Sequence, residues 1–181
     1  MRRIACLLAL CVLPIPVVAA PLTPDMCKDA PPPPEPWTSW MQSGAEIAGG
    51  VPHSAPRLIL GKPVVATLRP SVQVQYAVEP EPLRPKSHGG LFTLALKDPA
   101  RVGIGLSGPA RVDIVMDRQR LESVGAELGP ECSTIRQIVW FDLPAGVHLI
   151  QIADSPAREL RVMVADAMAN RALPPAPEQE F

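Results

Sequence analysis

Proline decides what this chain can fold into. There are 24 prolines in 181 residues, and a proline inside a helix removes a hydrogen bond and clashes with the preceding turn. Between residues 90 and 165 they stand at Pro99, Pro109, Pro130, Pro144 and Pro156, each between apolar runs. The runs themselves alternate. Phe92, Leu94 and Leu96 are separated by Thr93 and Ala95, and Val102, Ile104 and Leu106 by Gly103 and Gly105. The same holds for Val112, Ile114 and Met116, and for Leu160, Val162 and Val164. A period of two with one apolar face marks half-buried antiparallel strands. Val72, Val74, Tyr76 and Val78 predict a further strand. Residues 121–128 are the exception and predict one helical turn.

Three turns share the words Pro-Ala-Arg, at Pro99, Pro109 and Pro156. Proline presets φ for the second position of a type I or II turn, and the shared words read as convergent turn chemistry. Residues 136–152 are the most apolar stretch and predict a hairpin about Pro144-Ala145-Gly146. Val139, Phe141 and Leu143 face one side, Ile138 and Trp140 the other. Residues on the second side need a cover, which the N-terminal segment would supply. Turns every ten residues or so fit a sandwich or barrel. The expected fold is all-β: an antiparallel β-sandwich of jelly-roll type over residues 50–167, with a proline-rich N-terminal strap at 20–49.

The strap holds seven prolines between residues 20 and 36, four of them consecutive at Pro31 to Pro34. Such a run favours extended polyproline II. Trp37 and Trp40 follow at a spacing that puts both indoles on one side of a short turn. They would plug one end of the core or form an aromatic platform. Residues 168–181, with three prolines and two glutamates, read as a disordered tail.

The start of the chain reads as a secretory signal over residues 1–19. Arg2 and Arg3 precede an apolar run from Ile4 to Val18, and small residues follow. The run is too short for a membrane span and is broken by Pro14 and Pro16. A lipoprotein signal is the rival reading, because Leu8-Ala9-Leu10-Cys11 comes near that pattern, although Leu10 sits where a small residue is wanted. A periplasmic or secreted product follows, with no membrane span after processing. Removing the signal leaves 15 basic against 18 acidic residues, a net charge of −3. That balance argues against a nucleic-acid partner. Two cysteines remain, Cys27 and Cys132. In an oxidising compartment they are expected to form one disulfide, closing a loop of about 105 residues, worth up to ~4.7 kcal/mol of chain entropy.

No catalytic set converges. His53, His88 and His148 share no metal-ligand spacing, no Gly-x-Ser-x-Gly motif occurs, and no glycine loop suits a phosphate. Asp113 and Asp117 are four residues apart, ~13 Å along a strand, too far for a glycosidase pair. No cofactor is expected from these residues. A polar sheet face of Gln75, Arg111, Asp113 and Arg136, with Trp140 nearby, predicts a surface for a glycan or a protein of the cell envelope.

The segments Gly89-Gly90-Leu91-Phe92, Ala110 to Met116, Cys132 to Arg136 and Phe141 to His148 carry a resemblance. They resemble short exported bacterial β-sandwich proteins of the jelly-roll, pre-peptidase C-terminal type, a group sometimes labelled homogentisate dioxygenase. The resemblance covers under half the chain. It implies a non-catalytic envelope module. The enzyme label would instead imply iron, with His53, His88 and His148 as the ligands at hand. A purely structural envelope protein is the third expectation.

Overall fold

A computed structural model describes residues 27–42, 44–80 and 83–167. The signal segment 1–19, the start of the strap and the tail 168–181 lie outside the described residues. The chain divides into a short unit ending at Ala30 and a second from Pro31 onward. Of the first, Cys27–Ala30 form one turn, closed by the Ala30 N–H donating to the Cys27 carbonyl at 3.3 Å. Cys27 and Cys132 are disulfide-bonded. No helix among the described residues is long and apolar enough to cross a membrane.

The described residues of the second unit hold twelve strands: β1 (Ala45–Ile47), β2 (Arg57–Leu58), β3 (Val64–Thr67), β4 (Arg69–Pro70), β5 (His88–Leu96), β6 (Ala100–Leu106), β7 (Arg111–Met116), β8 (Gln119–Leu121), β9 (Gly125–Glu127), β10 (Gln137–Leu143), β11 (Gly146–Ser155) and β12 (Glu159–Asp166). They build two sheets. The first has the order β1-β3-β12-β6-β10-β9 and the second β2-β5-β11-β7-β8, with β4 also on β5. Antiparallel pairs dominate, and the parallel ones, β1 with β3 and β2 with β5, lie at sheet edges. The all-β sandwich expected from the alternation is the fold.

Its core follows from period two. Val102, Ile104 and Leu106 of β6, Val139, Phe141 and Leu143 of β10, and Leu160, Val162 and Val164 of β12 point inward from the first sheet. Phe92, Leu94 and Leu96 of β5, Val112 and Ile114 of β7, and Ile150 and Ile152 of β11 meet them from the second. Burying a Leu, Ile or Phe side chain stabilises by roughly 1.5–3 kcal/mol relative to exposure, so this interface dominates the energetics.

The connections differ from the sequence expectation. β10 pairs with β6 and β9, while β11 pairs with β5 and β7. Residues 136–152 are therefore not a hairpin but an arch that passes from one sheet to the other. Pro99 leads β5 into β6, Pro109 leads β6 into β7, and Pro156 leads β11 into β12, each across the same gap. The two runs β5-β6-β7 and β10-β11-β12 thus interleave: β6 lies between β12 and β10, and β11 between β5 and β7. The local pattern of an apolar strand, a tight turn and an apolar strand is identical for hairpin and arch. Only the partner strands, distant in sequence, separate them.

Two other expectations fail. Val72 to Val78 is not a strand: Ser71–Gln73 is one 3-10 turn and the rest is irregular. Val72 is 94% exposed, while Val74 is buried and Tyr76 and Val78 half-buried, so the alternation marks one covered side of an irregular segment rather than a strand. Residues 121–128 form no helical turn but the ends of β8 and β9. Leu121 packs against the core while Val124 and Leu128 are exposed, so the three leucine and valine positions do not share one buried helical face. β1 also lies within the 20–49 segment, as an edge strand rather than strap.

Candidate functional site

Both outer faces of the sandwich are partly covered by the chain's own segments, and this limits where a ligand can reach. On the first sheet, β6 turns Gly103 and Gly105 outward. A Cβ added at Gly105 would stand 2.7 Å from the Trp37 ring, and one at Gly103 would stand 2.8 Å from the Trp140 ring. The bare glycine track is thus the bed on which two indoles lie. Trp37, Trp40, Ile135, Ile138, Met163 and Ala165 close into a second apolar cluster, with half-buried Trp140 packed against it. The Trp37 and Trp140 rings meet edge to face at 6.2 Å.

Polar contacts hold that cover. The Trp40 Nε1–H donates to Thr134 Oγ1 at 3.0 Å, and the Ser39 hydroxyl donates to the Gly61 carbonyl at 2.5 Å. Arg161 of β12 donates to the Trp40 and Gln42 carbonyls at 3.1 and 2.6 Å. Its guanidinium also stands 5.9 Å from the centre of the Trp40 ring, within cation–π range. Trp37 and Trp40 neither plug an end of the main core nor form an open platform. They are buried under the outer face.

On the second sheet the cover is the segment after the Ser71–Gln73 turn. Fully buried Gln151 of β11 reaches out to it. Its Oε1 accepts the Ala77 and Val78 N–H groups at 2.6 and 3.1 Å, and its Nε2 donates to the Val78 carbonyl at 2.9 Å. Tyr76 lies over Gly89, where an added Cβ would strike the phenol oxygen. Burial pushes the Tyr76 hydroxyl above its ordinary pKa. Arg84 ties the far end of this stretch, with its Nε 2.8 Å from Asp154 Oδ2.

The candidate residues from sequence separate over these two faces. Gln75 is exposed in the covering segment, its N–H donating to the Gly50 carbonyl at 2.8 Å. Arg111 and Asp113 belong to β7 of the second sheet. Asp113 stands opposite Gln151 and 3.4 Å from the Arg120 Nε. Burial raises its carboxyl above the ordinary range, against the pull of Arg120 and Arg111. Trp140 belongs to β10 of the first sheet, and Arg136 lies just before that strand, its N–H donating to the Leu106 carbonyl. The five do not share one face.

Trp140 stands at an open site of its own. Its register partners are Gly103 on β6 and Gly125 on β9, so neither neighbour screens the ring. The indole, Val124, Gly125, Arg101 and Ala167 line a hollow of about 210 Å³. Arg101 and Ala167 continue into an open groove of about 700 Å³ with Pro99, Asp142, Leu143 and Pro144. Arg101 and Asp142, directly paired across β6 and β10, make a bidentate ion pair at 2.7 and 2.8 Å. The hydrogen bonds from Arg101 hold the Asp142 carboxyl below its usual range. The Trp140 Nε1–H donates to Glu127 Oε1 at 2.8 Å, which fixes the ring plane. An aromatic wall beside a fixed donor–acceptor pair suits a ligand with one apolar face and hydroxyls at its rim. Sequence reasoning found Trp140 but missed Arg101, Asp142 and Glu127. The signal was the outward glycine pair of β6, which asks for a large neighbour.

The iron set implied by the dioxygenase label does not fit these residues. His88 pairs with Ser155 at one end of β5, and His148 pairs with Leu94 near the other. Six residues of strand separate those positions, ~20 Å, so one ion cannot touch both. His148 is buried, with its Nε2 2.8 Å from the Pro144 carbonyl. His53 sits in an exposed 3-10 turn. No three His, Cys, Asp or Glu side chains among the described residues are grouped to hold a metal. Neither the models of known protein families nor the curated proteins give a match to this chain.

Proposed function

We propose that the chain is an exported, non-catalytic binding module of the cell envelope that takes a glycan at the Trp140 groove. The carrying observation is the half-buried indole, set between two glycines and beside the Arg101–Asp142 pair. A sugar ring stacks its C–H face on such an indole and spends its hydroxyls on the neighbouring carboxylate and guanidinium. The signal-like start and the Cys27–Cys132 disulfide agree with an oxidising, exported setting. So does the resemblance to exported jelly-roll modules.

The test uses the tryptophans themselves. Trp37 and Trp40 are buried, so a fluorescence change on ligand addition reports Trp140. Titration of the mature chain with a panel of envelope oligosaccharides should give a saturable change with at least one of them. Trp140→Ala should abolish it. Because Trp140 also packs on the outer cluster, Gly125→Leu provides a second variant. A Cβ there meets nothing within 4 Å, so the added side chain fills the hollow without crowding the sheet. A panel with no responder, or a response indifferent to both variants, removes the glycan reading. A protein partner captured by the natural chain and lost with Gly125→Leu would make the groove a protein site instead.

A further inference from the structure

A second pocket lies where β1, β3, β4 and the start of β5 meet the turn before β12. It measures about 340 Å³ and shares no residue with the Trp140 groove. Its walls carry Arg69, Arg158, His88, Gln73, Thr67 and Ile47.

The arginines differ from the others that the structure pairs. Arg84, Arg101 and Arg120 each meet a carboxylate. Among the described residues, Arg69 and Arg158 meet none within ion-pair distance. Arg69 is nevertheless held in place. Its stem crosses Gly50, where a Cβ would stand 3.3 Å from Cδ, and its Nε donates to the Ala48 carbonyl at 2.9 Å. That bond orients the guanidinium and leaves its two terminal nitrogens without a hydrogen-bond partner among the described residues. Arg158 is fixed through its backbone, whose carbonyl accepts the Leu68 N–H at 2.8 Å. The His88 Nδ1 is buried with no hydrogen-bond partner. The nearest carboxylate in register, Glu159, stands opposite Thr67 on β12 and is exposed.

We infer that this pocket binds a small oxyanion, a carboxylate or phosphate group carried on a sugar-sized ligand. A guanidinium fork matches either group in a bidentate fashion, and two arginines without a carboxylate partner lining one pocket favour an anion over a neutral guest. Exposed Ile47 supplies an apolar wall for the rest of the ligand. The volume is at the small end of ligand pockets, enough for one ring rather than a polymer.

The experiment is a titration of the ¹⁵N-labelled mature chain, in low salt, with sodium phosphate, sodium glucuronate and glucose in separate arms. The natural chain should show saturable shifts at the Arg69 and Gly89 amides with at least one of the two anions and none with glucose. Phosphate alone would assign a phosphate ester, and glucuronate alone a sugar acid. Arg69→Gln and Arg158→Gln should each weaken binding about tenfold or more, the loss of one charge-assisted fork. Arg158 is exposed and holds no side-chain hydrogen bond among the described residues, so Arg158→Gln should leave the melting temperature unchanged and controls for the Ala48 hydrogen bond that Arg69→Gln removes. Gly125→Leu should leave the affinity unaltered, which separates this site from the groove. No saturable shift up to about 20 mM anion, or binding that both arginine variants leave intact, overturns the inference.

Discussion

Single residues set the shape of the outer surface. Gly105 has an ordinary backbone conformation, so it is there for space rather than for φ. The Trp37 ring occupies the position of a side chain 2.7 Å away. Gly105→Ala is expected to cost about 1–3 kcal/mol through overpacking, read as a lower urea midpoint. Asp113 acts through charge. A carboxyl whose folded pKa stands above its unfolded value favours folding while protonated and opposes it once ionised. Burial raises the Asp113 pKa above 3.8 despite Arg120 and Arg111. Asp113→Asn should therefore be more stable than the natural chain at about pH 7, by under about 1 kcal/mol, and lose that advantage at about pH 3. Urea denaturation at the two pH values reads the difference. A variant less stable at neutral pH would mean that the Arg120 attraction outweighs burial.

At the scale of elements, alternation made β5, β6, β7, β10, β11 and β12 readable from sequence, because each turns every second residue toward one core. The strap as a cover for the outer side of β10 was also legible, since Ile138 and Trp140 are apolar on that side; the cover buries Ile138 and leaves Trp140 half-open. What sequence could not show was partnership. An arch and a hairpin use the same turn words, and the Pro-Ala-Arg turns lead into strands of either sheet, β6 and β12 of the first and β7 of the second. The segment after Gln73 misled for a related reason. Its alternating valines face no sheet partner, and its amides are satisfied by a side chain, Gln151, rather than by a ladder. Removing that clamp tests it. Gln151→Leu leaves two N–H groups and one carbonyl without partners, each worth about 1–3 kcal/mol if buried. Hydrogen exchange at Ala77 and Val78 should accelerate by tenfold or more, while exchange in β5 and β7 stays slow. Equal acceleration throughout would mean that the clamp holds the whole sandwich rather than one segment.

For the whole molecule, the consequence is that each broad sheet face is partly covered. One is roofed by the two tryptophans and the other by the Gln151-clamped segment. The polar face imagined from Gln75, Arg111, Asp113, Arg136 and Trp140 needed both sheets to be one. Open surface is left at edges, where the Trp140 groove and the Arg69–Arg158 pocket lie. All of this depends on β10 and β11 belonging to different sheets. Cross-strand nuclear Overhauser contacts on the labelled chain decide it. The interleaved sandwich predicts backbone contacts between Val139 and Ile104, and between Ile150 and Ile114. Backbone contacts running ladder-wise from Leu143–Val147 back along the two strands would instead make residues 136–152 a hairpin in one sheet and contradict the architecture.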